Sequence, residues 1–272
     1  MEQQNWGGNF QTYRQIVPQM EELPFQAREA INVLRGNIQL SGYEVRTIAV
    51  TSAMPNEGKS SIAFRLAKSM AGLGTRTVYL DCDIRNSEVM RRYHIEQSVC
   101  GLSEFLCGRV SMNDIIYHTD DPCMDMIFTG AVAPNPSELL SGPLFVQLLE
   151  ELKKNYEYVI VDTPPVCPVI DGALIAKKCD GTVLVVECGR TEKTLAVKAV
   201  RQLEYAGVHI LGAVLNKIGM SNKGYGYGYG YGYGYGYGYG YGYGQKDTGK
   251  AAKKQTKAVR KSDKSKNKRN KK

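Results

Sequence analysis

Residues 51–61 read Thr-Ser-Ala-Met-Pro-Asn-Glu-Gly-Lys-Ser-Ser, and this stretch decides which fold the chain can adopt. The apolar run Val45–Val50 precedes it with the alternation of a β-strand, and Lys59–Met70 follows with the spacing of an amphipathic helix. The polar residues between them end in Gly58, a residue suited to a tight turn. A strand, a short loop and a helix in this order are the beginning of a β-α-β unit.

The remainder of the chain up to residue 219 repeats this alternation of strand and helix. Further strands are predicted at 77–80, 124–128, 158–161, 182–187 and 210–215. Helices are predicted at 25–40, 139–154, 171–178 and 192–206, with short helices and loops in 86–118. Strands rich in Val and Ile that alternate with helices predict an α/β fold, a mostly parallel sheet with helices on both faces.

The loop itself has the spacing of a P-loop, with Ala53 at the first position where glycine is usual. In such a loop the backbone amides and the helix N-terminus bind phosphates, the lysine contacts the β- and γ-phosphates, and the next hydroxyl ligates Mg²⁺. The sequence therefore predicts a P-loop NTPase-like domain that binds ATP and Mg²⁺. The predicted nucleotide contacts are Pro55, Asn56, Glu57, Gly58, Lys59, Ser60 and Ser61.

Carboxylates follow two further predicted strands at the edge of the sheet where such folds bind their ligands. Asp162 closes the run Tyr158–Val161, which is the arrangement of a Walker B aspartate, so that Ser60 and Asp162 are predicted to hold Mg²⁺. Asp81 and Asp83 follow Val78–Leu80 as an Asp-x-Asp pair, and alternation places both on one side of an extended chain. Of two such carboxylates, one can accept the proton of an attacking hydroxyl and the other can support the metal.

These motifs together resemble the bacterial tyrosine kinase family of capsule and exopolysaccharide export. The resemblance rests on Thr-Ser-Ala-Met-Pro-Asn-Glu-Gly-Lys-Ser, with Asn56 where glycine is usual, on Asp-x-Asp, on Asp-Thr-Pro-Pro and on a terminal tyrosine cluster, and it covers roughly residues 25–244. It implies Asp81 as the catalytic base, Asp83 and Asp162 around Mg²⁺, and Lys59 as the residue that stabilises phosphate charge.

A second group of P-loop proteins shares the fold and the Walker B aspartate. Septum-placement, plasmid-partition and iron–sulfur scaffold ATPases carry an extra signature lysine early in the loop, at the position of Met54. This substitution argues against that group, and a partition-type ATPase that never phosphorylates protein remains the alternative.

Two polar residues near the predicted site have open roles. Arg85 either meets a phosphate or the incoming phenol, or pairs with a surface acid. Asn216, at the end of the last predicted strand, either contacts adenine, as in related P-loop proteins, or is a turn residue.

The helix before the domain carries a partial match to the family's Glu-x-x-Arg-x-x-Arg motif, which is associated with ring-shaped self-assembly. Glu29 and Arg35 match, and Asn32 replaces the middle arginine. Residues three apart lie along one helix face, so the resemblance implies an oligomer interface at Glu29 and Arg35. An amphipathic helix packed on its own domain would show the same spacing.

Beyond residue 219 the composition changes abruptly, and tyrosine alternates with glycine through residue 244. The repeat could be an adhesive low-complexity segment, an oddity of cloning or sequencing, or a cluster of phosphate acceptors, which the kinase-like motifs favour. Glycine would leave the segment free to enter a site in many registers. The predicted acceptors are Tyr225, Tyr227, Tyr229, Tyr231, Tyr233, Tyr235, Tyr237, Tyr239, Tyr241 and Tyr243.

The formal charge of +8 belongs to the C-terminal end of the chain. Residues 246–272 contain 13 Lys and Arg against 2 Asp and Glu, so the remainder is close to neutral. No nucleic-acid recognition module accompanies this charge, and no specific nucleic acid is expected as a partner. The expected organisation is an arm at 1–24, the kinase domain at 25–219, the acceptor cluster at 220–244 and a flexible basic tail at 245–272.

The cellular setting follows from cysteine usage, hydropathy and the resemblance. Seven cysteines without a Cys-x-x-Cys pair indicate reduced thiols rather than a disulfide framework or a zinc site. No secretory signal and no apolar run of about 20 residues is present, so a cytoplasmic location is expected, with membrane association through a partner. The resemblance implies a homo-oligomer, for which a ring is one form, a separate membrane-spanning activator, and a protein tyrosine phosphatase.

Overall fold

The computed structural model describes residues 15–219, which form a seven-stranded sheet covered by helices. The strands are β1 (Thr47–Ser52), β2 (Thr77–Asp81), β3 (Tyr117–His118), β4 (Met124–Ile127), β5 (Tyr158–Asp162), β6 (Gly181–Glu187) and β7 (Ile210–Asn216). The helices are α1 (Phe25–Leu40), α2 (Lys59–Ala71), α3 (Val89–Arg92), α4 (Leu102–Leu106), α5 (Pro136–Ser141), α6 (Pro143–Asn155), α7 (Asp171–Ala176) and α8 (Lys193–Tyr205). A 3₁₀ turn covers Met112–Asp114.

The strand order is β3-β4-β2-β5-β1-β6-β7, and every neighbouring pair is parallel except β3 with β4. The predicted α/β class with a mostly parallel sheet is confirmed. All six residues of β1 are buried, since β5 and β6 flank it and both faces of the sheet are covered.

Alternate residues of the central strands face two separate apolar layers. Ile48 and Val50 of β1 join the layer that includes α1, α2 and the segment at Ile16. Ala49 of the same strand faces α7 and α8, and Val159 of β5 faces α6. The helices therefore lie on both faces, as the sequence predicts.

The predicted helix at 139–154 is wrong as a single element, because the structure divides this stretch into α5 and α6 at Gly142-Pro143. Gly142 adopts an extended conformation, with φ −67° and ψ 165°. A residue before proline is pushed out of the helical region, and proline suits the first position of a new helix. The same proline that ends α5 therefore begins α6.

Among residues 15–219, no helix is both long enough and apolar enough to cross a lipid bilayer.

Candidate active site

The phosphate loop connects β1 to α2 and ends in a glycine that cannot be replaced without strain. Gly58 has φ +94°, a left-handed conformation, and α2 begins at the next residue. A Cβ at Gly58 would lie 2.2 Å from the side-chain nitrogen of Asn216. No described side chain caps the helix, so the first-turn N–H groups of α2 are available to an anion.

The inner side of the loop is held by the side chain of Glu57. This carboxylate is 3% exposed, accepts a hydrogen bond from Met54 N at 3.0 Å, and accepts a second one from the Thr191 hydroxyl. Thr191 in turn accepts the backbone N–H of Glu187 at 2.9 Å. The Glu57 side chain thus links the phosphate loop to the β6–α8 connection.

The end of β7 fastens the same loop from a second direction. Asn216 donates to the Glu57 carbonyl oxygen at 2.9 Å. The Lys217 ammonium contacts the Asn56 carbonyl oxygen at 2.5 Å and Glu187 Oε2 at 2.9 Å. Asn216 therefore acts on the loop backbone, which makes it more than a turn residue, and a contact with adenine stays a prediction.

Lys59 brings two of the predicted carboxylates together. Its Nζ lies 2.9 Å from Asp83 Oδ2 and 3.6 Å from Asp162 Oδ1, and it also contacts Ser60 Oγ at 3.2 Å. Burial opposes the charge on Lys59, but the carboxylates of Asp162, Asp83 and Asp81 outweigh it and raise its pKa above the ordinary value. The ammonium is therefore charged and shared between two acids.

Strand register places two buried carboxylates side by side. Asp81 of β2 is the direct partner of Asp162 of β5, and both are 0% exposed. Burial and the Asp162 charge raise the pKa of Asp81 to about 7. Burial likewise raises the pKa of Asp162, while Lys59 opposes that shift.

Asp81 and Asp83 do not face the same space. The Asp81 carboxylate accepts the Ser87 hydroxyl and the backbone N–H of Asp83, the latter at 3.1 Å. That second contact turns the chain after β2, so the extended geometry expected for the pair stops at Asp81. Asp83 lines the cavity beside the loop, whereas Asp81 lies behind it.

A cavity of about 200 Å³ adjoins the loop at the carboxyl ends of the strands. Its wall includes Pro55, Asn56 and residues 58–61 of the loop, together with Asp83, Arg85 and the prolines that follow Asp162. Arg85 reaches it while ion-paired to Asp171, and it also donates to Ser137 Oγ at 3.0 Å. The acid that pairs with Arg85 is fully buried on α7, not a surface acid.

The donor set fits a nucleotide-bound Mg²⁺. Within the described part of the chain, no three His, Cys, Asp or Glu side chains are arranged to hold a metal ion. Mg²⁺ in nucleotide sites needs only one or two carboxylates besides phosphate and water oxygens. Buried Asp162 Oδ1 has no hydrogen-bond partner among residues 15–219, and it lies in the same group as Ser60 and Asp83. An oxygen of this kind is suited to a cation.

The other predicted site residues lie elsewhere or outside the described range. Arg35 on α1 donates to the Ser69 carbonyl and hydroxyl oxygens of α2 at 2.8 and 2.7 Å, and Glu29 accepts from Asn32 at 2.9 Å. These contacts stay within the domain, and the interface with a second copy stays a prediction. The ten tyrosines from Tyr225 to Tyr243 and the basic tail lie outside the described residues.

Several residues of the site were not singled out from the sequence. Tyr79 donates to Asp162 Oδ2 at 2.9 Å, Ser87 holds Asp81, and Thr191 and Lys217 hold the loop. Each is far in sequence from its partner or follows a turn, so only strand register and loop packing bring the pairs together. Tyr79 alone left a signal, because it stands two residues before Asp81 in a strand.

Comparison with known proteins agrees with this geometry. The family model described as an AAA domain matches residues 45–206. A tyrosine-protein kinase CpsD of Streptococcus agalactiae is 39% identical over 196 residues, which are 72% of this chain and 86% of that protein. The kinase domain of the Escherichia coli tyrosine kinase ETK superposes with a TM-score of 0.69 at 32% identity, over 78% of this chain and 87% of that one.

Fold and site together define a P-loop nucleotide-binding protein of the α/β class. Within that class, the chain belongs to the bacterial tyrosine-protein kinase family, as its identity with CpsD over most of both chains shows. The cell-division ATPase MinD of Pyrococcus furiosus also superposes, with a TM-score of 0.56 at 22% identity over 65% of this chain and 74% of that one. At that identity the likeness shows the shared fold alone.

Proposed function

We propose that this chain transfers the γ-phosphoryl group of Mg-ATP to protein tyrosine. The observation that carries the proposal is the convergence of Lys59, Asp83 and Asp162 on the phosphate loop, with Asp81 directly behind them, in a member of the tyrosine kinase family. Phosphoryl transfer needs positioning and charge stabilisation more than covalent chemistry, and these residues supply both.

The proposed roles follow from position. Lys59 stabilises charge on the β- and γ-phosphates, and the amides from Pro55 to Ser61 bind the phosphate oxygens, with Asn216 at the nucleotide. Ser60, Asp83 and Asp162 hold Mg²⁺, which when bound neutralises charge that develops on the phosphates. Because Lys59 lies between Asp83 and Asp162 in this structure, its single positive charge reduces the repulsion between the two carboxylates.

Asp81 is proposed as the base that accepts the phenol proton. Its pKa of about 7 suits a base at neutral pH. Because the carboxylate is fully buried and held by Ser87, that contact has to open before a phenol can approach. Asp83 already lines the cavity, and its proposed role is to support the metal.

The chain's own Tyr-Gly repeat is the proposed substrate, phosphorylated by a neighbouring copy, with an effect on capsular or exopolysaccharide synthesis or export. Twenty residues extend to at most about 70 Å, enough to reach another copy's site. Glycine at every second position imposes no fixed conformation on the acceptor. The proposed division of the chain is a kinase domain at 25–219, an acceptor cluster at 220–244 and a basic tail at 245–272.

The proposed assembly is a homo-oligomer built on α1. That helix exposes apolar side chains, with Phe25 72%, Val33 62% and Leu40 86% exposed. Glu29 lies on this helix with its side chain exposed, while Arg35 is partly engaged with Ser69. Light scattering tests this by measuring the molar mass of the particle formed by the unchanged chain and by Glu29→Lys. We expect a smaller mass for the variant, and equal masses would count against the interface.

A separate membrane-spanning activator and a tyrosine phosphatase are proposed as further partners, with the chain cytoplasmic and attached to the membrane through the activator. Family membership supports these proposals. Fractionation of cells with and without a candidate activator tests the attachment, and an unchanged membrane fraction would contradict it.

One experiment separates the kinase from the partition-type ATPase. The pure chain is incubated with Mg-ATP and probed for phosphotyrosine and for ADP, with Lys59→Met as the control. We expect phosphotyrosine in the unchanged chain and none in the variant. ADP without phosphotyrosine would support the ATPase instead.

A further inference from the structure

A second cavity, of about 460 Å³, lies next to the phosphate cleft. Ser61 of α2 and Arg92 of α3 belong to the walls of both cavities, so the two are adjacent. The N-terminal segment closes the outer side with Met20 and Glu21. None of the catalytic roles proposed above uses this space.

The cavity exists because the N-terminal segment is fastened at fixed points. Ile16 is buried in the core and its N–H donates to the His118 carbonyl at 2.9 Å, and Gln19 N donates to the Tyr93 carbonyl at 3.0 Å. Between these anchors and α1 the segment passes over α2 and α3. The cavity is therefore a half-open space between this segment, α2 and α3.

Its wall has the chemistry that recognises an aryl phosphate. Arg65 and Arg92 supply two guanidinium groups, which bind phosphate in a bidentate manner. Tyr93, stacked on Phe64 at 4.0 Å between ring centroids, and Met20 supply an apolar wall for a ring. His94 adds a further donor.

Arg65 is available for a ligand. It contacts Ser61 Oγ at 3.4 Å and the Glu21 carbonyl oxygen at 3.4 and 3.5 Å, the long end of hydrogen bonding. No carboxylate forms an ion pair with Arg65 within residues 15–219. Arg92 is paired with Glu88 at 3.2 Å, and the Glu21 side chain is the other acid nearby.

The proposed acceptor segment has a matching repeat. Its tyrosines stand at every second residue, so in an extended conformation they all point to one side and are about 7 Å apart. Two adjacent cavities that share wall residues suit two successive side chains of such a segment. Each phosphorylated tyrosine carries about −1.5 to −2 charges, which complements Arg65 and Arg92.

We propose that this cavity binds a phosphotyrosine that the kinase has already made, while a nearby tyrosine of the same acceptor segment occupies the phosphate cleft. The inference rests on the proposed function, since it needs a tyrosine acceptor. Each completed transfer then improves the binding of the next acceptor, so the repeat is modified in runs and not at random.

The test uses the full-length chain and short Tyr-Gly peptides in which one tyrosine is the acceptor and the other aromatic positions are Phe. Each peptide has one variable position, which lies two or four residues before or after the acceptor. This position is phosphotyrosine, Glu or Phe. Mass spectrometry separates peptide phosphorylation from self-phosphorylation. We expect a KM about tenfold lower for a phosphotyrosine peptide than for the Phe peptide, with Glu in between.

Arg65→Gln should remove this preference and leave kcat and KM for the Phe peptide unchanged. The matched control is Arg201→Gln, an exposed arginine on α8, which should keep the preference. Arg65→Lys should keep part of it, because charge remains and the bidentate geometry is lost. Thermal unfolding of each variant shows whether it is folded.

Direct binding gives a readout that does not depend on catalysis. A peptide with one phosphotyrosine and no acceptor should bind the unchanged chain about tenfold more tightly than it binds Arg65→Gln, while inorganic phosphate alone should compete weakly. Equal KM values for phosphotyrosine and Phe peptides, or a preference that survives in Arg65→Gln, would overturn the proposal and leave the kinase proposal intact. If the chain phosphorylates neither any peptide nor itself, both the cavity proposal and the kinase proposal are contradicted.

Discussion

At the scale of single residues, the site is governed by how burial and strand register shift the pKa values of Asp81 and Asp162. Asp81 and Asp162 are register partners, and neither carboxylate reaches solvent. Lys59 is the one cation within 4.0 Å of Asp162 in the described part of the chain. The protonation of Asp81 is therefore sensitive to pH near neutrality.

This predicts a pH dependence that belongs to Asp81. A base with a pKa of about 7 is protonated below that pH, so kcat/KM for a peptide should fall as the pH drops through 7 and level off above it. Asp81→Asn should lower kcat by about 10²- to 10⁴-fold and remove the acid limb. The profile is measured from pH 5.5 to 9.

Asp83→Asn is the companion variant, because its carboxylate faces the cavity. This variant should bind Mg²⁺ more weakly and so need a higher Mg²⁺ concentration for half-maximal activity, and its pH profile should retain the acid limb. A limb that persists in Asp81→Asn and vanishes in Asp83→Asn would assign the base to Asp83.

Lys217 leads to a separate prediction about nucleotide affinity. Lys217→Met removes the contacts to the Asn56 carbonyl oxygen and to Glu187, so the phosphate loop loses one of its supports. We expect KM for ATP to rise about tenfold, with a smaller change in kcat. Lys198→Met, an exposed lysine on α8, is the control and should match the unchanged chain. Unaltered KM in Lys217→Met would show that the support is dispensable.

At the scale of elements, the connection from β1 to α2 depends on a backbone conformation that only glycine adopts easily. Gly58→Ala would combine a left-handed φ with a Cβ 2.2 Å from Asn216 Nδ2. A non-glycine residue in that conformation costs about 1–2 kcal/mol before the clash is counted. Either the loop or the end of β7 has to move.

We therefore expect Gly58→Ala to lower the unfolding temperature and to abolish the rise in that temperature that Mg-ATP gives the unchanged chain. Gly72→Ala is the matched control at the other end of α2, because Gly72 has φ −61° and its Cβ would meet the Lys68 carbonyl oxygen at 3.3 Å. Thermal unfolding with and without nucleotide measures both. Normal stabilisation of Gly58→Ala by Mg-ATP would contradict the proposed role of the loop.

The elements that the sequence predicts are those with a strong local signal. The runs around β1, β2, β5 and β6 are apolar and end at polar loops, so their strands and their shared carboxyl edge were predictable. The two-residue strand β3 was not, since it is defined by pairing with β4 and carries no periodicity. The Gly142-Pro143 pair in the sequence is typical of a helix boundary. The apolar spacing continues across it, however, and therefore predicts a single helix.

The same division holds within the site. Lys59, Ser60, Asp83 and Asp162 follow from motif spacing, because Lys59 and Ser60 begin the helix after β1, Asp83 stands two residues after the end of β2, and Asp162 ends β5. The turn after Asp81, the buried partner of Arg85 and the supports of the loop depend on contacts between residues far apart in the chain. A single sequence contains no local signal for such contacts.

At the scale of the whole molecule, the proposed reaction joins two copies, so enzyme and acceptor can be placed on different chains. A chain ending at Gly219 should phosphorylate peptides and the full-length Lys59→Met chain, and should not modify itself. Mass spectrometry measures phosphotyrosine on each chain separately, because the two chains differ in mass. Lys59→Met is the acceptor of choice because we expect this variant not to phosphorylate itself.

The mixing experiment needs one further control. Full-length Lys59→Met in which the ten tyrosines from Tyr225 to Tyr243 are Phe should stay unmodified. Modification of that chain to the same extent would place the acceptors elsewhere. If the truncated chain modifies peptides but never the Lys59→Met chain, phosphorylation is confined to a chain's own repeat.

Asn216, the last residue of β7, and Lys217, the residue after it, lie at the point where the chain leaves the sheet. Asn216 and Lys217 bind backbone carbonyl oxygens of the phosphate loop, and the Tyr-Gly repeat follows a few residues later in the sequence. Because these two residues hold the phosphate loop, a substitution at the end of β7 acts on the nucleotide site through the backbone of Asn56 and Glu57.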